Sequence, residues 1–280
     1  MSERGSEVPV NALYGINAVR EAIGARPVEY VLVAQGSHSH RVQQIVDACR
    51  AAGISVRFAP RAALDREAGT AQHQDVIAIC SAKGYDDLET LVGGCAKPLL
   101  VALDGVEDPG NLGAIVRTAV AAGADGIVIP ERRAAGLSPA VARAAAGALE
   151  HMKVARVTNL VRSLLDLKER GVWVFGFESA APKSYLDFDY SGSCALVLGG
   201  EGRGLRRLVR EACDDLARIP LYGPVESLNV SVAAAVVLYE AARQRRREPG
   251  VRSQEEVERR SADLFFRSAV GERSQEPGGS

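Results

Sequence analysis

Three short stretches of this 280-residue chain hold residues equipped for chemistry. The densest is 221–229, LYGPVESLN, where Glu226, Ser227 and Asn229 bring together a carboxylate, a hydroxyl and an amide. It runs directly into VSVAAAVVL, which reads as a helix with almost no polar face and therefore predicts burial on every side. The start of a helix leaves backbone N–H groups unpaired, which suits an acceptor group on a ligand. Ser227 or Asn229 could equally cap that helix. The second stretch, 104–117, DGVEDPGNLGAIVR, contains Asn111 and Arg117. The third, 199–205, GGEGRGL, sets Glu201 among Gly199, Gly200, Gly202 and Gly204. Glycine, proline and short polar residues dominate all three, so a ligand can approach the backbone closely.

The glycine-rich stretch fails both common nucleotide patterns. A dinucleotide fingerprint needs a third glycine where Leu205 stands, and a triphosphate loop needs Lys-Ser/Thr where Leu205 and Arg206 follow Gly204. The five cysteines form no CxxC pair, and the four histidines show no ligand spacing, so no metal and no disulfide framework is expected. The cysteines read as buried thiols in a reducing compartment. A hydrophobic fraction of 47% with 25% charged residues is that of a globular protein. The net charge of −1 means that a nucleic-acid partner must be met by a local basic face. The polar start MSERGSEVP is no signal peptide, and the apolar run after Asn229 is too short to span a bilayer. The expectation is a cytoplasmic protein with no membrane partner.

These stretches are positioned by alternating helices and strands. An amino-terminal unit over 11–81 is predicted after a disordered 1–10. It has a helix at 17–23, a strand at 30–34, a helix at 39–52, and strands at 54–59 and 75–80. Residues 82–97 suit a linker. The second unit, 98–245, opens on the apolar run LLVAL, typical of a central parallel strand. A helix over 112–122 ends at Gly123, and Ser138-Pro139 starts another. Strands at 126–130, 154–157, 173–177, 194–198 and 217–220 alternate with helices at 159–170 and 206–213. This pattern predicts a parallel sheet covered on both faces. The three polar stretches then fall at the carboxyl ends of strands, where open sheets collect ligands. The charged tail, 246–280, reads as partly disordered with one short helix around Leu264, Phe265 and Phe266.

Taken together, DGVEDPGNLGAIVRTA, LVLGGEGRGL and IPLYGPVESLNVSVA resemble, in order and spacing, the signature motifs of the SpoU branch of the SPOUT RNA methyltransferases. LYGINAVREAI and HQDVIA resemble the RNA-binding domain of the bacterial 23S rRNA guanosine 2′-O-methyltransferases in that branch. The resemblance covers roughly 13–245. It implies an α/β fold: a carboxyl-terminal parallel domain with a SPOUT-type trefoil knot, preceded by a small α/β RNA-binding domain.

The resemblance also implies S-adenosylmethionine as cofactor, held by Leu198, Gly199, Gly200, Ile219, Leu221 and Leu228, a set that suits a flat adenine between apolar walls. Catalytic positions carried over are Arg117, Asn111, Glu201, Ser227 and Asn229. With a helix starting near 112, Arg117 would sit in its second turn and reach past its end. It would take the 2′-hydroxyl proton or clamp a phosphate and stabilise the alkoxide; a guanidinium that stays protonated favours the second role. Glu201 would orient Arg117 or receive a proton. Relatives often carry Ala and an acidic residue where this chain has Gly200 and Arg203, and Arg203 adds positive charge beside the site. The implied partners are 23S rRNA and a second copy of the chain as a homodimer. The alternatives are a tRNA ribose methyltransferase of the same branch and an RNA-binding module without catalysis. RNA selection falls to the amino-terminal unit, with Arg20, Arg41, Arg50, Arg57 and Arg61 available for phosphates.

Overall fold

The structure is a computed structural model that describes residues 10–200 and 204–246. The expectations for residues 1–9, Glu201, Arg203 and the 247–280 tail lie outside the described residues.

The amino-terminal unit runs β1 (Val10–Tyr14), α1 (Ile16–Ala22), β2 (Val28–Ala34), α2 (His40–Ala51), β3 (Ser55–Ala59), α3 (Arg61–Ala68) and β4 (Val76–Ser81). Its sheet has the order β1-β4-β2-β3, with β4 antiparallel to both neighbours and β2 parallel to β3. The second unit runs α4 (Leu88–Val92), β5 (Leu99–Asp104), α5 (Pro109–Ala122), β6 (Gly126–Pro130), α6 (Pro139–Ala144), β7 (Val154–Val157) and α7 (Leu160–Glu169). It continues through β8 (Trp173–Phe177), β9 (Lys183–Ser184), β10 (Cys194–Gly199), α8 (Arg207–Ala212), β11 (Asp215–Arg218) and α9 (Val230–Arg246). Its sheet order is β7-β6-β5-β10-β8-β11-β9, and the paired strands are parallel. β5 and β10 lie side by side near the middle and are buried almost throughout, as their unbroken apolar runs require. Reversal of strand order between β5 and β10 opens a crevice at the carboxyl edge.

Three expectations are corrected. The helix after β5 begins at Pro109, three residues earlier than its apolar periodicity suggests. Asp108 caps it, accepting from Asn111 N at 2.7 Å, and Pro109 occupies the first turn, where no N–H is needed. Residues 82–97 are not a plain linker: α4 lies within them, Leu91 is buried, and Asp86 accepts from Val154 N at 2.9 Å. The third concerns α9, which is not covered all round within its own chain. Val230, Ala234, Val237, Leu238 and Ala241 are buried, but Val232 is 49% and Tyr239 53% exposed. Near its end Arg245 donates to the carbonyls of Lys97, Pro98, Tyr190 and Gly192, pinning α9 beneath the starts of β5 and β10.

The two units meet along a largely buried seam. Arg26 and Glu150 pair at 2.6 Å with side chains only 8% and 4% exposed. His151 and Glu21 lie 2.8 Å apart at its edge, and Arg143 stands over the ring of Tyr14. A Cβ on Gly147 would fall 3.0 Å from Asn17 O, so the main chains approach too closely for any side chain there. Residues of both units belong to one continuous hydrophobic cluster. Cys49, Cys80 and Cys194 are buried, Cys95 and Cys213 half-buried, and all five are free thiols. Burial pushes Cys49 up to about 11 and, as the largest cause, Cys213 up to about 12. No described helix is long and apolar enough to cross a membrane. No group of three or more His, Cys, Asp or Glu among the described residues could hold a metal.

Candidate active site at the carboxyl edge of the sheet

Asp104, the last residue of β5, organises this edge. Its side chain is 0% exposed and accepts from Arg206 N at 2.8 Å and Arg206 Nε at 2.6 Å. Its carbonyl accepts from Gly200 N at 2.8 Å. Parallel pairing of β10 with β5 sets Gly199 beside Asp104, so the chain leaving β10 is tied back onto the end of its neighbour. Gly200 and Gly204 bridge to each other and close the loop between them. Glycine is required on steric grounds: a Cβ on Gly199 would overlap the Gly204 carbonyl and stand 2.6 Å from Leu205 N, and one on Gly200 would overlap the carbonyl of Gly105. Gly105 and Gly204 adopt left-handed backbone, with open space where a Cβ would be, so their main chains are bare to a ligand.

A cleft of about 640 Å³ opens over this edge. It is lined by residues 104–108, Asn111, Arg133, Gly200, Gly204, Arg206 and Val230. The loop 221–229 stands beside it. Asn229 caps α9, its Oδ1 accepting from Ser231 N at 2.9 Å, and its Nδ2 donates to Asn111 Oδ1 at 3.0 Å. One side-chain bond thus ties the second polar stretch of the sequence to the first across 118 residues.

The sequence-predicted residues divide into groups. Asn111, Asn229 and Gly200 come together at the cleft. Leu198 is buried at the end of β10, and Gly199 is half-buried beside it. Ile219 and Leu221, half-buried, follow β11 at the same edge, since β10 and β11 flank β8 in parallel register. Ser227 and Leu228 are exposed, as is Tyr222 at 96%. Arg117 does not line the cleft. With the helix starting at Pro109 it is the ninth residue, about 12 Å along the axis and on an exposed face, not one that reaches past the helix end. Sequence reasoning missed Asp104, Arg133 and Arg206. Asp104 had a signal, an acid closing an apolar strand; Arg133 had none.

The chain matches the SpoU rRNA Methylase family over residues 98–239, and a model described as RNA 2′-O ribose methyltransferase substrate binding over 12–86. The chain belongs to the SpoU family. Membership carries the family's knotted α/β domain, here preceded by the substrate-binding unit. Among SpoU relatives, the 23S rRNA (guanosine-2′-O-)-methyltransferase RlmB of Xylella fastidiosa is 47% identical over 241 residues, 83% of this chain and 96% of its own. The putative TrmH family tRNA/rRNA methyltransferase YacO of Bacillus subtilis is 44% identical over 236 residues, 82% of this chain and 94% of its own. Among solved structures, the SpoU methyltransferase AviRb of Streptomyces viridochromogenes in complex with AdoMet superposes with a TM-score of 0.74. It is 25% identical, covering 88% of this chain and 96% of AviRb.

Proposed function

We propose that the protein methylates a ribose 2′-hydroxyl of 23S rRNA, at a guanosine, using S-adenosylmethionine. The observation that carries this reading is the bond between Asn229 and Asn111. It ties the first and third SpoU motifs together beside a cleft that Gly200 and Gly204 of the second also line. An identity of 47% to a 23S rRNA guanosine enzyme over 83% of this chain and 96% of that enzyme supports the substrate.

The edge suits the cofactor. Ile219, Leu221 and Leu228 offer apolar surface, with Leu198 buried behind the edge, and Gly199 and Gly200 offer backbone. When bound, S-adenosylmethionine supplies an electrophilic sulfonium methyl group. The chain's residues must make the hydroxyl nucleophilic. Arg117 clamps the neighbouring phosphate and stabilises the forming alkoxide, Glu201 receives the proton, and Asn111, Ser227 and Asn229 orient the ribose.

Arg117 stands outside the cleft of its own chain; α9 presents an apolar face of Val232, Val236 and Tyr239, and the loop leading into it exposes Tyr222, Val225 and Leu228. These two facts support a homodimer whose interface contains the site, α9 being covered by a second copy. Five free thiols fit a reducing, cytoplasmic setting.

Incubation with unmodified 23S rRNA and labelled cofactor, followed by mass spectrometry of nucleosides, should yield labelled 2′-O-methylguanosine. Label only in tRNA would assign the tRNA reading, and no label in either would leave a binding module.

A further inference from the structure

A second hollow, of about 380 Å³, lies beside the cleft at the carboxyl ends of β6 and β7. Arg132, Arg206 and Arg207 line it, with Pro130, Leu160 and Leu208 as apolar wall, and no carboxylate does. Arg206 lines both hollows. Arg132 lines the second and the next residue, Arg133, lines the cleft; left-handed backbone at Arg133, φ 58°, lets neighbouring guanidinium groups serve adjoining hollows. Arg206 is committed to Asp104 through Nε, yet its side chain is 48% exposed. Arg207 pairs with Glu211 on an exposed helix turn, a contact worth little in water. Arg132 and Arg133 have no ion-pair partner among the described residues. The amino-terminal arginines differ. Arg20, Arg50 and Arg61 each meet a carboxylate, Arg41 meets Asn17, and Arg57 lies over Tyr30.

A hollow with cationic rim and apolar wall, within the range of about 300–1,000 Å³ typical of ligand pockets, fits a nucleotide: phosphate on the guanidinium groups, base on the aliphatic side chains. We infer that this hollow holds a nucleotide flanking the methylated ribose, with its phosphate on Arg132 and Arg207. The methyltransferase domain itself therefore grips the RNA strand, which runs along the sheet edge from β5 towards β7. This rests on the proposed function.

The test uses the full chain and an unmodified 23S rRNA transcript. Affinity is measured across salt concentrations for wild type, Arg132→Gln, Arg207→Gln and the double variant. Each single change should reduce the slope of log affinity against log salt by about 0.7, the value for one single-strand phosphate contact. Melting temperature and cofactor affinity should stay at wild-type values. Arg170→Gln, which removes an exposed pair with Glu89 at the far end of α7, should leave the slope unchanged. An unaltered slope and affinity in the double variant of an active enzyme would overturn the inference alone. So would a parallel loss of cofactor affinity, which would assign the arginines to the cofactor site. A wild type that neither binds nor methylates the transcript would overturn the functional reading as well.

Discussion

Gly199→Ala isolates the steric demand of the glycine loop. The new methyl would overlap the Gly204 carbonyl and lie 2.6 Å from Leu205 N, where ordinary contact begins at 3.4 Å. Every obstructing atom is backbone, so no rotamer change relieves the clash; the loop must move by close to an ångström. Overpacking of this kind costs about 1–3 kcal/mol. The shift also strains the 2.8 Å bond from Gly200 N to Asp104 O, worth about 0.5–1.5 kcal/mol. On the proposed reading that the cofactor needs this loop in its wild-type position, binding must reverse the shift, and a combined cost of about 1.5–4.5 kcal/mol corresponds to roughly a 10- to 2,000-fold loss of S-adenosylmethionine affinity. Isothermal calorimetry reads this directly. Gly192→Ala is the control, because its Cβ would meet nothing within 4 Å. Affinity within twofold of wild type in Gly199→Ala, with unchanged melting, would show that the loop is not the cofactor wall.

Arg117→Ala should lower single-turnover methyl transfer roughly a hundredfold, with cofactor affinity retained. Arg117→Lys should recover part of it; a lysine variant matching wild type at high pH would instead identify residue 117 as the proton acceptor, since an amine deprotonates more readily. Val232→Glu with Tyr239→Glu should give a monomer by analytical ultracentrifugation and abolish methylation; an active dimer would place the interface elsewhere. Asn229→Ala removes the cap on α9 and the tie to Asn111, a loss of about 1 kcal/mol. Calorimetric melting should fall by roughly 2–4 °C, and an unmoved transition would mean that the cap is dispensable. Cys49 is raised to about 11 from 9.0 by burial. The unfolded thiol ionises first, so its contribution to stability is complete below pH 9 and declines between pH 9 and 11. Urea melts across that window should show a steeper decline in wild type than in Cys49→Ala, and equal slopes would contradict the shift.

The central strands were legible because LLVAL and CALVL have one physical use, burial on both faces of a parallel sheet. The three polar stretches were legible for the complementary reason: glycine and proline beside short polar groups cannot be core. β1 was not, because VNALY alternates without a strong apolar face and is held by pairing with β4. α3 and α4 are short, with little apolar face to betray them: Leu64 and Leu91 are their only buried residues. The start of α5 was written in Asp108-Pro109 but masked by the apolar repeat that begins at Leu112. The apolar run that opens α9, VSVAAAVVL, could not distinguish a core helix from one that keeps a face for a partner. The ties of Asp104 to Arg206 and of Asn111 to Asn229 span 102 and 118 residues, and no local pattern encodes them.

The buried seam between the two units sets a distance. Pulling the units apart would break the buried Arg26–Glu150 pair and expose to water the apolar side chains of the one cluster that spans both units, which opposes separation. The amino-terminal unit is therefore no tethered lure that samples many positions and raises local RNA concentration. On the proposed function it would work as one jaw of a caliper whose other jaw is the cleft. An RNA that offers the right ribose at the wrong spacing from the feature gripped by the first jaw must itself deform or forfeit one of its two grips. Selection of a single nucleotide in a large RNA then needs few base-specific contacts, because the span between the jaws does part of the reading.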